Sequence, residues 1–303
     1  MKFFIKESKI YSLDLNKDYN LCLISDIHNT KFSSYKVWNE LILNIQNINP
    51  DYIIIAGDMI YNADDLYNIN TVKKLNFLLH GLIKIAPVIA IFGNHDLKDG
   101  LKLKYNDIYE YFKNFEKESN NRFILCNNNC LTFEDLTFVG ISPTYEAYYP
   151  AYEKDWIKLF NDCFTEDLKI NNDNSFKILI THSPLTLYKF EDINNFSILD
   201  NKAKVFLNNI NLFLCGHIHD GLIPKWLQKL NIIGDFGIMF SEGNKIKDVI
   251  VKKVKCTREM KDFLNGKLIV SGGIIKCGQP NPIFGTIDKV LAKDINVIKL
   301  IKK

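Results

Sequence analysis

Five short apolar runs in this sequence each end abruptly in side chains that can bind a metal ion or move a proton. Such runs, rich in Ile and Leu, are typical of strands that are covered on both faces. A carboxylate or an imidazole is costly inside such a strand but useful at its carboxyl end, where open α/β sheets bind their ligands. The five blocks after these runs are Asp26 with His28, Asp58, Asn94 with His95 and Asp96, His182, and His217 with His219.

Each of these residues, taken alone, has an ordinary structural explanation. Asp26 can cap a helix or form a turn, Asn94 can form a turn, and His217 or His219 can be a surface histidine. However, five of the six histidines fall in the blocks, and only His80, in an apolar helical pattern, lies outside them. We therefore interpret the blocks together as a site for two metal ions and His80 as structural.

The first hundred residues alternate between strand and helix patterns. This alternation predicts right-handed βαβ units and a largely parallel sheet. The predicted elements are an edge strand at 3–13, strands at 20–25, 52–56 and 88–92, a helix at 35–48, and a helix at 71–85 that Thr71 can cap.

The pattern changes after residue 96. Short strands at 123–126, 130–133 and 136–141 are separated by turn residues, which predicts an antiparallel meander with a hairpin at 127–129. The remaining predicted elements are helices at 105–115, 152–164 and 199–208, and strands at 176–181, 211–215, 246–254, 267–275 and 295–301. Two mixed sheets with helices outside them account for this order.

Length and charge are ordinary for a globular protein. The chain has 303 residues, of which 47% are apolar and 24% charged. Because the polar strand ends run from residue 26 to residue 219, we expect one domain over 1–303, with 220–303 supplying C-terminal strands and substrate-side loops. The net charge of +3 gives no reason to expect a nucleic acid partner.

Positive charge is concentrated near the end of the sequence. Residues 245–303 carry 14 Lys/Arg against 5 Asp/Glu. Two explanations stay open: a basic rim that attracts an anionic substrate or a membrane surface, or solvated lysines that keep edge strands from aggregating.

Cysteine usage and hydropathy predict a cytoplasmic protein. The seven cysteines form no CxxC pair, and charges interrupt the first residues too early for a signal peptide. No apolar window approaches the roughly 20 residues of a membrane span. Reduced thiols in the cytosol are the simplest account.

Taken in order, the motifs Asp26-x-His28, Gly57-Asp58, Gly93-Asn94-His95-Asp96, His182 and Gly216-His217-x-His219 resemble those of the calcineurin-like metallophosphoesterase superfamily. The resemblance implies an α/β fold, a four-layer αββα sandwich of two mixed β-sheets flanked by helices. It also implies two divalent metal ions along one rim, and the mixed nitrogen and oxygen ligands suit Mn, Fe, Zn or Co.

The resemblance also assigns a role to each residue of the blocks. Asp26, His28 and His219 would hold one metal, Asn94, His182 and His217 the other, and Asp58 would bridge them. His95 would contact the phosphate and protonate the leaving oxygen. Asp96 would orient that imidazole and raise its pKa.

The implied activity is a dinuclear-metal-dependent phosphohydrolase. It would cleave phosphomonoester, phosphodiester or pyrophosphate bonds by in-line attack of a metal-bridging hydroxide. The alternative is a non-catalytic metal-binding scaffold on the same fold, which the presence of every ligand position and of His95 disfavours.

Departures from family patterns narrow the expected substrate. Arginines that protein phosphatases place beside the Gly57-Asp58 and Gly93 blocks are missing, and the tail lacks the extensions of DNA-repair nucleases. Residues 217–224 are similar to the bacterial GHTHGGQ-type subgroup, with Asp220 and Leu222 departing from it and no N-terminal anchor.

The expected partner is therefore a phosphate-ester small molecule, a nucleotide or a lipid head group, with peripheral membrane contact through the basic C-terminal segment. A tyrosine cluster is either a substrate contact or lid packing. Its members are Tyr145, Tyr148, Tyr149 and Tyr152.

Overall fold

Fourteen strands and five α-helices lie within the residues that the computed structural model describes, which are 3–148, 174–188, 190, 199–219, 236–240, 251–255, 260–275 and 293–303. The strands are β1 (Phe3–Ser12), β2 (Tyr19–Ile24), β3 (Tyr52–Ala56), β4 (Val88–Ile91), β5 (Phe123–Leu125), β6 (Asn129–Phe133), β7 (Leu136–Ile141), β8 (Phe176–Thr181), β9 (Leu212–Cys215), β10 (Phe236–Phe240), β11 (Val251–Lys255), β12 (Lys261–Phe263), β13 (Gly266–Val270) and β14 (Lys293–Lys302). The helices are α1 (Tyr35–Ile48), α2 (Ile69–Ile85), α3 (Tyr105–Glu118), α4 (Pro184–Tyr188) and α5 (Asn201–Asn208), with 3₁₀ turns at Ala63–Tyr67 and Tyr145–Tyr148.

The first sheet has six strands in the order β1-β14-β2-β3-β4-β5. Strands β2 to β5 run parallel, whereas β14 is antiparallel to β2 and parallel to β1. Because the carboxyl ends of parallel neighbours meet at one edge, the residues that follow β2, β3 and β4 come together there.

The second sheet has six strands in the order β12-β13-β9-β8-β7-β6. Its four central strands, β13, β9, β8 and β7, are parallel, and antiparallel β12 and β6 close its edges. His182 follows β8 and His217 follows β9, so both histidines lie at the carboxyl edge of this sheet. Strands β10 and β11 form a separate antiparallel pair.

Three apolar layers hold the sheets and helices together. Along β3, Ile53 and Ile55 belong to the layer beneath helices α1 to α3, whereas Ile54 and Ala56 belong to the layer between the two sheets. This division follows from the alternation of side chains along a strand. The third layer packs α5 against the outer face of the second sheet through residues such as Leu207. The arrangement is therefore helix, sheet, sheet, helix, and the predicted fold class is confirmed.

The start of α2 differs from the prediction. Asn68, three residues before Thr71, is the N-cap, and its side chain accepts hydrogen bonds from the backbone N–H groups of Asn70 and Thr71. Thr71 is instead a buried residue of the first turn. The helix starts earlier because an Asn side chain caps well, and Asn68 already meets the free N–H groups. Helix α1 has the predicted bounds and ends at Asn49, which has a left-handed backbone (φ 49°).

The predicted antiparallel meander is confirmed for β6 and β7 and wrong for β5. Strand β5 pairs in parallel with β4 in the first sheet, whereas β6 and β7 form an antiparallel hairpin in the second sheet. Residues 126–128 therefore cross between the sheets, where a hairpin at 127–129 was predicted. The backbone N–H of Cys126 still donates to the Ala90 carbonyl (2.8 Å), which extends the β4–β5 pairing up to the crossing.

Several predictions fall wholly or partly outside the described residues. These are the helix at 152–164, Tyr149, Tyr152, and most of the strand at 246–254, of which β11 is the described part. The strand predicted at 267–275 ends at Val270. Across the described ranges, no helix is long and apolar enough to cross a membrane. The division into a single domain over 1–303 stays a prediction.

Gly140 permits the crossing between the sheets, and its replacement tests the crossing. A Cβ at this position would lie 1.7 Å from the carbonyl oxygen of Cys126. We expect Gly140→Ala to lower the free energy of unfolding by roughly 2–3 kcal/mol, because backbone on both sides must shift. Urea denaturation measures this change.

Gly81→Ala is the matched control. There the added Cβ approaches only side-chain atoms of the half-buried Ile42, nearest to Cδ1 and Cγ1, rather than any backbone, and alanine favours the helix. We expect a change within about 1 kcal/mol. Equal losses of stability in the two variants would contradict the close approach at Gly140.

Candidate metal centre

Most of the polar side chains of the blocks leave their strands through an unusual backbone conformation. Asp26, His28 and Asp58 follow β2 and β3 with φ of 53°, 42° and 56°, and His217 and His219 follow β9 with φ of 73° and 47°. Left-handed backbone is uncommon for residues other than glycine and collects at functional sites. These sharp turns direct side chains from both sheets toward one point.

Two glycines let the strand ends approach one another. A Cβ on Gly57, which has φ of +83°, would lie 2.7 Å from His182 Nδ1, and a Cβ on Gly93 would lie 2.2 Å from Asp58 Oδ1. Backbone hydrogen bonds also connect the strand ends: the N–H of His28, after β2, donates to the carbonyl of Asp58, after β3 (2.9 Å). A larger residue at Gly57 would press on His182 of the second sheet, and one at Gly93 would press on Asp58 of the neighbouring strand end in the first sheet.

Asp26, His28 and His219 form the first group of candidate ligands. One ligand atom from each lies within 4.8 Å of the others. His219 Nε2 is 3.3 Å and His28 Nε2 is 3.9 Å from Asp26 Oδ1, and the two imidazole rings stack with centroids 5.3 Å apart. We call this set the first cluster.

Asp58, His182 and His217 form a second cluster with the same spread of ligand atoms. Asp58 Oδ2 lies 3.1 Å from His182 Nε2, and His217 Nδ1 lies 3.3 Å from that same nitrogen. Asp58 Oδ2 is also 3.5 Å from His28 Nε2 of the first cluster. One carboxylate therefore faces both clusters, as expected of a bridging ligand.

Backbone carbonyls fix the tautomers of three histidines. The Nδ1 atoms of His95, His182 and His219 lie 2.8, 2.7 and 2.8 Å from the carbonyl oxygens of Tyr61, Ala56 and Ile275. Because a carbonyl only accepts, each Nδ1 carries a hydrogen and each Nε2 is left for the site.

Buried polar atoms in this region lack the partners that folded proteins normally provide. Both ring nitrogens of His28 and Asn94 Oδ1 are buried and have no hydrogen-bond partner among the described residues, and Asp58 Oδ2 faces the histidine nitrogens described above. Such atoms are rare because each forgoes a hydrogen bond to water. Nitrogen and carboxylate or amide oxygen donors left in this way fit divalent cations. The residues present therefore fit a pair of divalent metal ions.

The ionisation of the candidate ligands suits the binding of divalent cations. Burial would raise the pKa of Asp58, but His182, His95 and His28 hold it well below its usual value. Burial lowers the pKa of His28 and of His217, so both rings are neutral. Burial also acts to lower the pKa of His182, but Asp58 outweighs this effect and raises it to about 9. His182 must therefore release a proton when it binds a metal ion.

The predicted role of Asp96 is wrong. Its two carboxylate oxygens accept hydrogen bonds from the backbone N–H groups of Gly93, Met59 and Ile60 at 2.9–3.2 Å, while His95 Nδ1 faces the Tyr61 carbonyl. Asp96 thus joins the loops after β3 and β4 rather than orienting His95. Burial, followed by the nearby Asp58, raises its pKa to about 7.

His95 lies beside both clusters. Its ring meets that of His28 edge to face with centroids 4.7 Å apart, and its ligand atom falls within 4.8 Å of those of His28 and Asp58. Distance alone therefore allows His95 to be a ligand or a proton donor. The metal content of a His95 variant separates these roles.

Residues 271–275 were predicted to end a strand within the part of the chain that supplies substrate-side loops, but their contacts with the candidate ligands were not predicted. The N–H of Ile275 donates to the Asp26 carbonyl (2.8 Å), and the Ile275 carbonyl accepts from His219. A signal was present, because Leu268, Ile269 and Val270 form an apolar run that ends abruptly in Ser-Gly-Gly. It was overlooked because none of these three residues is a strong metal ligand.

Comparison with known proteins now bears on this geometry. The sequence profile of the family described as calcineurin-like phosphoesterase matches residues 19–221, which include every candidate ligand. The chain belongs to this family. The superfamily inferred from the motifs is confirmed.

The curated relatives are named as metallophosphoesterases. An uncharacterized metallophosphoesterase of Campylobacter jejuni is 26% identical over 225 residues, which are 72% of this chain and 50% of that protein. Another, from Helicobacter pylori strain J99, is 22% identical over 219 residues, which are 72% of this chain and 49% of that protein. The chain thus spans about half the length of the curated relatives it matches.

Solved structures resemble this phosphoesterase only distantly. A dimetal phosphatase from Danio rerio is 10% identical, covers 86% of this chain and 89% of its own, and gives a TM-score of 0.42. A likeness of this size carries no argument about activity.

The role found for Asp96 predicts a loss of stability in Asp96→Asn. The amide presents an NH₂ group where a carboxylate oxygen now accepts, so at least one buried backbone N–H loses its partner. We expect the free energy of unfolding to fall by about 1–3 kcal/mol in metal-free protein, as measured by urea denaturation.

Asp64→Asn is the matched control, because Asp64 also accepts from three backbone N–H groups, those of Leu101, Lys102 and Leu103, but in an exposed loop. There water replaces a lost bond, and we expect less than about 1 kcal/mol. An Asp96 variant as stable as the wild type would show that its three contacts are unimportant.

Proposed function

We propose that this calcineurin-like phosphoesterase is a metal-dependent hydrolase of phosphate esters. The observation that carries the proposal is the position of Asp58, whose Oδ2 atom lies 3.1 Å from His182 and 3.5 Å from His28. A two-metal hydrolytic site requires one carboxylate that both metal ions can share, with a separate set of ligands for each ion.

The residues would divide between two cations as their positions suggest. The first cluster, Asp26, His28 and His219, would hold one, and His182 and His217 the other, with Asp58 shared. The sequence motif adds Asn94 to the second set, and its buried Oδ1 lacks a hydrogen-bond partner among the described residues. Mn, Fe, Zn and Co all suit this mixed donor set. Two such cations, when bound, supply positive charge that activates water near neutral pH and stabilises phosphate oxygens.

His95 is the residue we assign to the leaving group. Its Nδ1–H donates to the Tyr61 carbonyl, which holds the ring so that Nε2 points toward the clusters. An imidazole held in this way can carry a proton at Nε2 and pass it to the departing oxygen. The Tyr61 ring, with its centroid 4.7 Å from that of His95, supports it from behind.

The substrate we propose is a phosphate-ester small molecule, such as a nucleotide or a lipid head group. The Tyr148 ring lies 6.0 Å from that of His182 and 5.7 Å from that of His217, so one member of the tyrosine cluster borders the site. An aromatic ring there supports contact with an organic substituent. The choice between monoester, diester and pyrophosphate, membrane contact and the cytoplasmic location stay predictions from the sequence.

Hydrolysis of simple aryl esters tests the proposal. We expect protein purified with Mn²⁺ to hydrolyse bis-p-nitrophenyl phosphate or p-nitrophenyl phosphate, to lose activity after chelation, and to regain it with added Mn²⁺. Absorbance of p-nitrophenolate and metal analysis are read together. Two bound metals with no turnover of either ester would favour the alternative, a non-catalytic metal-binding scaffold.

A His95→Ala variant tests the proton donor. We expect metal content to stay at the wild-type value while kcat falls by about 10²–10⁴-fold on an alkyl phosphate ester, whose alkoxide leaves poorly without a proton. The loss should be smaller with p-nitrophenyl esters, because p-nitrophenolate leaves readily.

His80→Ala is the matched control, since His80 lies on α2 with its ring against Phe115. This variant should change neither the metal content nor kcat on the alkyl ester. A His95 variant that keeps near-full rate on the alkyl ester contradicts the assigned role, and one that loses a metal ion identifies His95 as a ligand.

A further inference from the structure

Residues 271–275, which we call the support segment, connect the end of β13 to the first cluster. The N–H of Ile274 donates to the Ser25 carbonyl (3.0 Å), and that of Ile275 donates to the Asp26 carbonyl (2.8 Å). The Ile275 carbonyl then accepts the Nδ1–H of His219 (2.8 Å). The support segment therefore bonds directly to two of the three residues of that cluster.

Packing against Asp26 is as close as the hydrogen bonding. Gly273 has φ of +79°, and a Cβ there would lie 3.0 Å from the Asp26 Cβ and 3.1 Å from its Oδ2. The support segment is closely packed against Asp26 at this point, so a displacement of its backbone moves the Asp26 side chain.

Lys293, the first residue of β14, holds the support segment from the other side. It is completely buried, and its Nζ donates to the Ile274 carbonyl (2.9 Å). The N–H of the next residue, Asp294, donates to the Gly273 carbonyl (3.3 Å), and the Asp294 carboxylate pairs with Lys6 of β1 (3.1 Å). A buried ammonium is costly, and proteins retain one only where its hydrogen bonds are well made.

The second cluster is held differently. His182 donates to the carbonyl of Ala56, which ends β3, and Asp58 accepts from the N–H of His95 (2.9 Å). These contacts lie within the region that the family profile matches, whereas the support segment and Lys293 lie beyond its end at residue 221. The support segment thus bonds to residues of the first cluster, and the second cluster is linked to it through Asp26, whose carboxylate accepts the N–H of His217 (3.1 Å).

We propose that Lys293 is a positioning residue for the first cluster: it fixes the support segment against Asp26 and His219 and so sets that half of the metal centre. The inference rests on the proposed function, because it assumes that the clusters bind metal ions. It predicts an asymmetric defect, in which loss of the Lys293 contact weakens one metal site and spares the other.

Metal binding by the full chain tests this asymmetry. Protein stripped with a chelator is titrated with Mn²⁺ by calorimetry, and stoichiometry is checked by equilibrium dialysis with metal analysis. We expect two Mn²⁺ per wild-type chain. In Lys293→Met, which keeps the side-chain length but removes the donor, we expect one site unchanged and one weakened about 10–100-fold.

Lys177→Met is the matched control. Lys177 is also buried and also donates to a backbone carbonyl, that of Ser175 (3.3 Å), but it lies at the start of β8, at the end remote from His182. We expect it to bind two Mn²⁺ as the wild type does, even if its melting temperature falls. A general loss of stability therefore cannot produce the asymmetric result.

Three outcomes overturn the inference. Lys293→Met can bind both ions as tightly as the wild type, it can weaken both sites equally, or Lys177→Met can show the same asymmetry. If Lys293→Met is not recovered folded, Lys293→Gln replaces it, because the shorter side chain moves the donor away from the Ile274 carbonyl: weakening of one site supports the inference, and unchanged binding overturns it. A wild-type chain that binds no Mn²⁺ instead refutes the proposed function itself.

Discussion

The constraint on which the rest of the structure depends is the burial of several titratable side chains around Asp58. A carboxylate removed from water is stable only beside compensating charge or donors, and His182, His95 and the N–H of His95 provide them. Each of those groups must then be held in place in turn. The left-handed strand ends, the two glycines and the carbonyls that accept Nδ1–H groups are consequences of this one requirement.

The parallel arrangement of both sheets is what makes such a cluster possible. Side chains that follow β2, β3 and β4 meet those that follow β8 and β9 because all five strands end at the same rim. No single strand contributes a complete ligand set, so the site exists only when the sheets are packed face to face. Layers of apolar residues between the sheets therefore also determine the distances between candidate ligands.

The sequence could predict the parts of this site that depend on local pattern. An apolar run followed by Asp or His marks a strand end, and the alternation of strands and helices indicates how such ends meet. The pairing of β5 could not be predicted, because a strand of three residues contains nothing that distinguishes the first sheet from the second. The role of Asp96 could not be predicted either, because it depends on contacts between loops. Its donors belong to two loops, at Met59 and Ile60 and at Gly93, whose approach is a property of the folded chain.

The two halves of the candidate metal centre are held by parts of the chain that lie far apart in the sequence. Ala56 and Gly57, which adjoin His182, lie at the end of β3 in the first sheet, whereas the support segment next to Asp26 is fixed by Lys293 at the start of β14. Strand β14 lies between β1 and β2, so the first sheet is continuous only after β14 has inserted. The Asp26 half can therefore take its final geometry only when that insertion is complete. A metal ion that binds this half must in turn stabilise the inserted strand, because ligand binding and folding are linked through the same contacts.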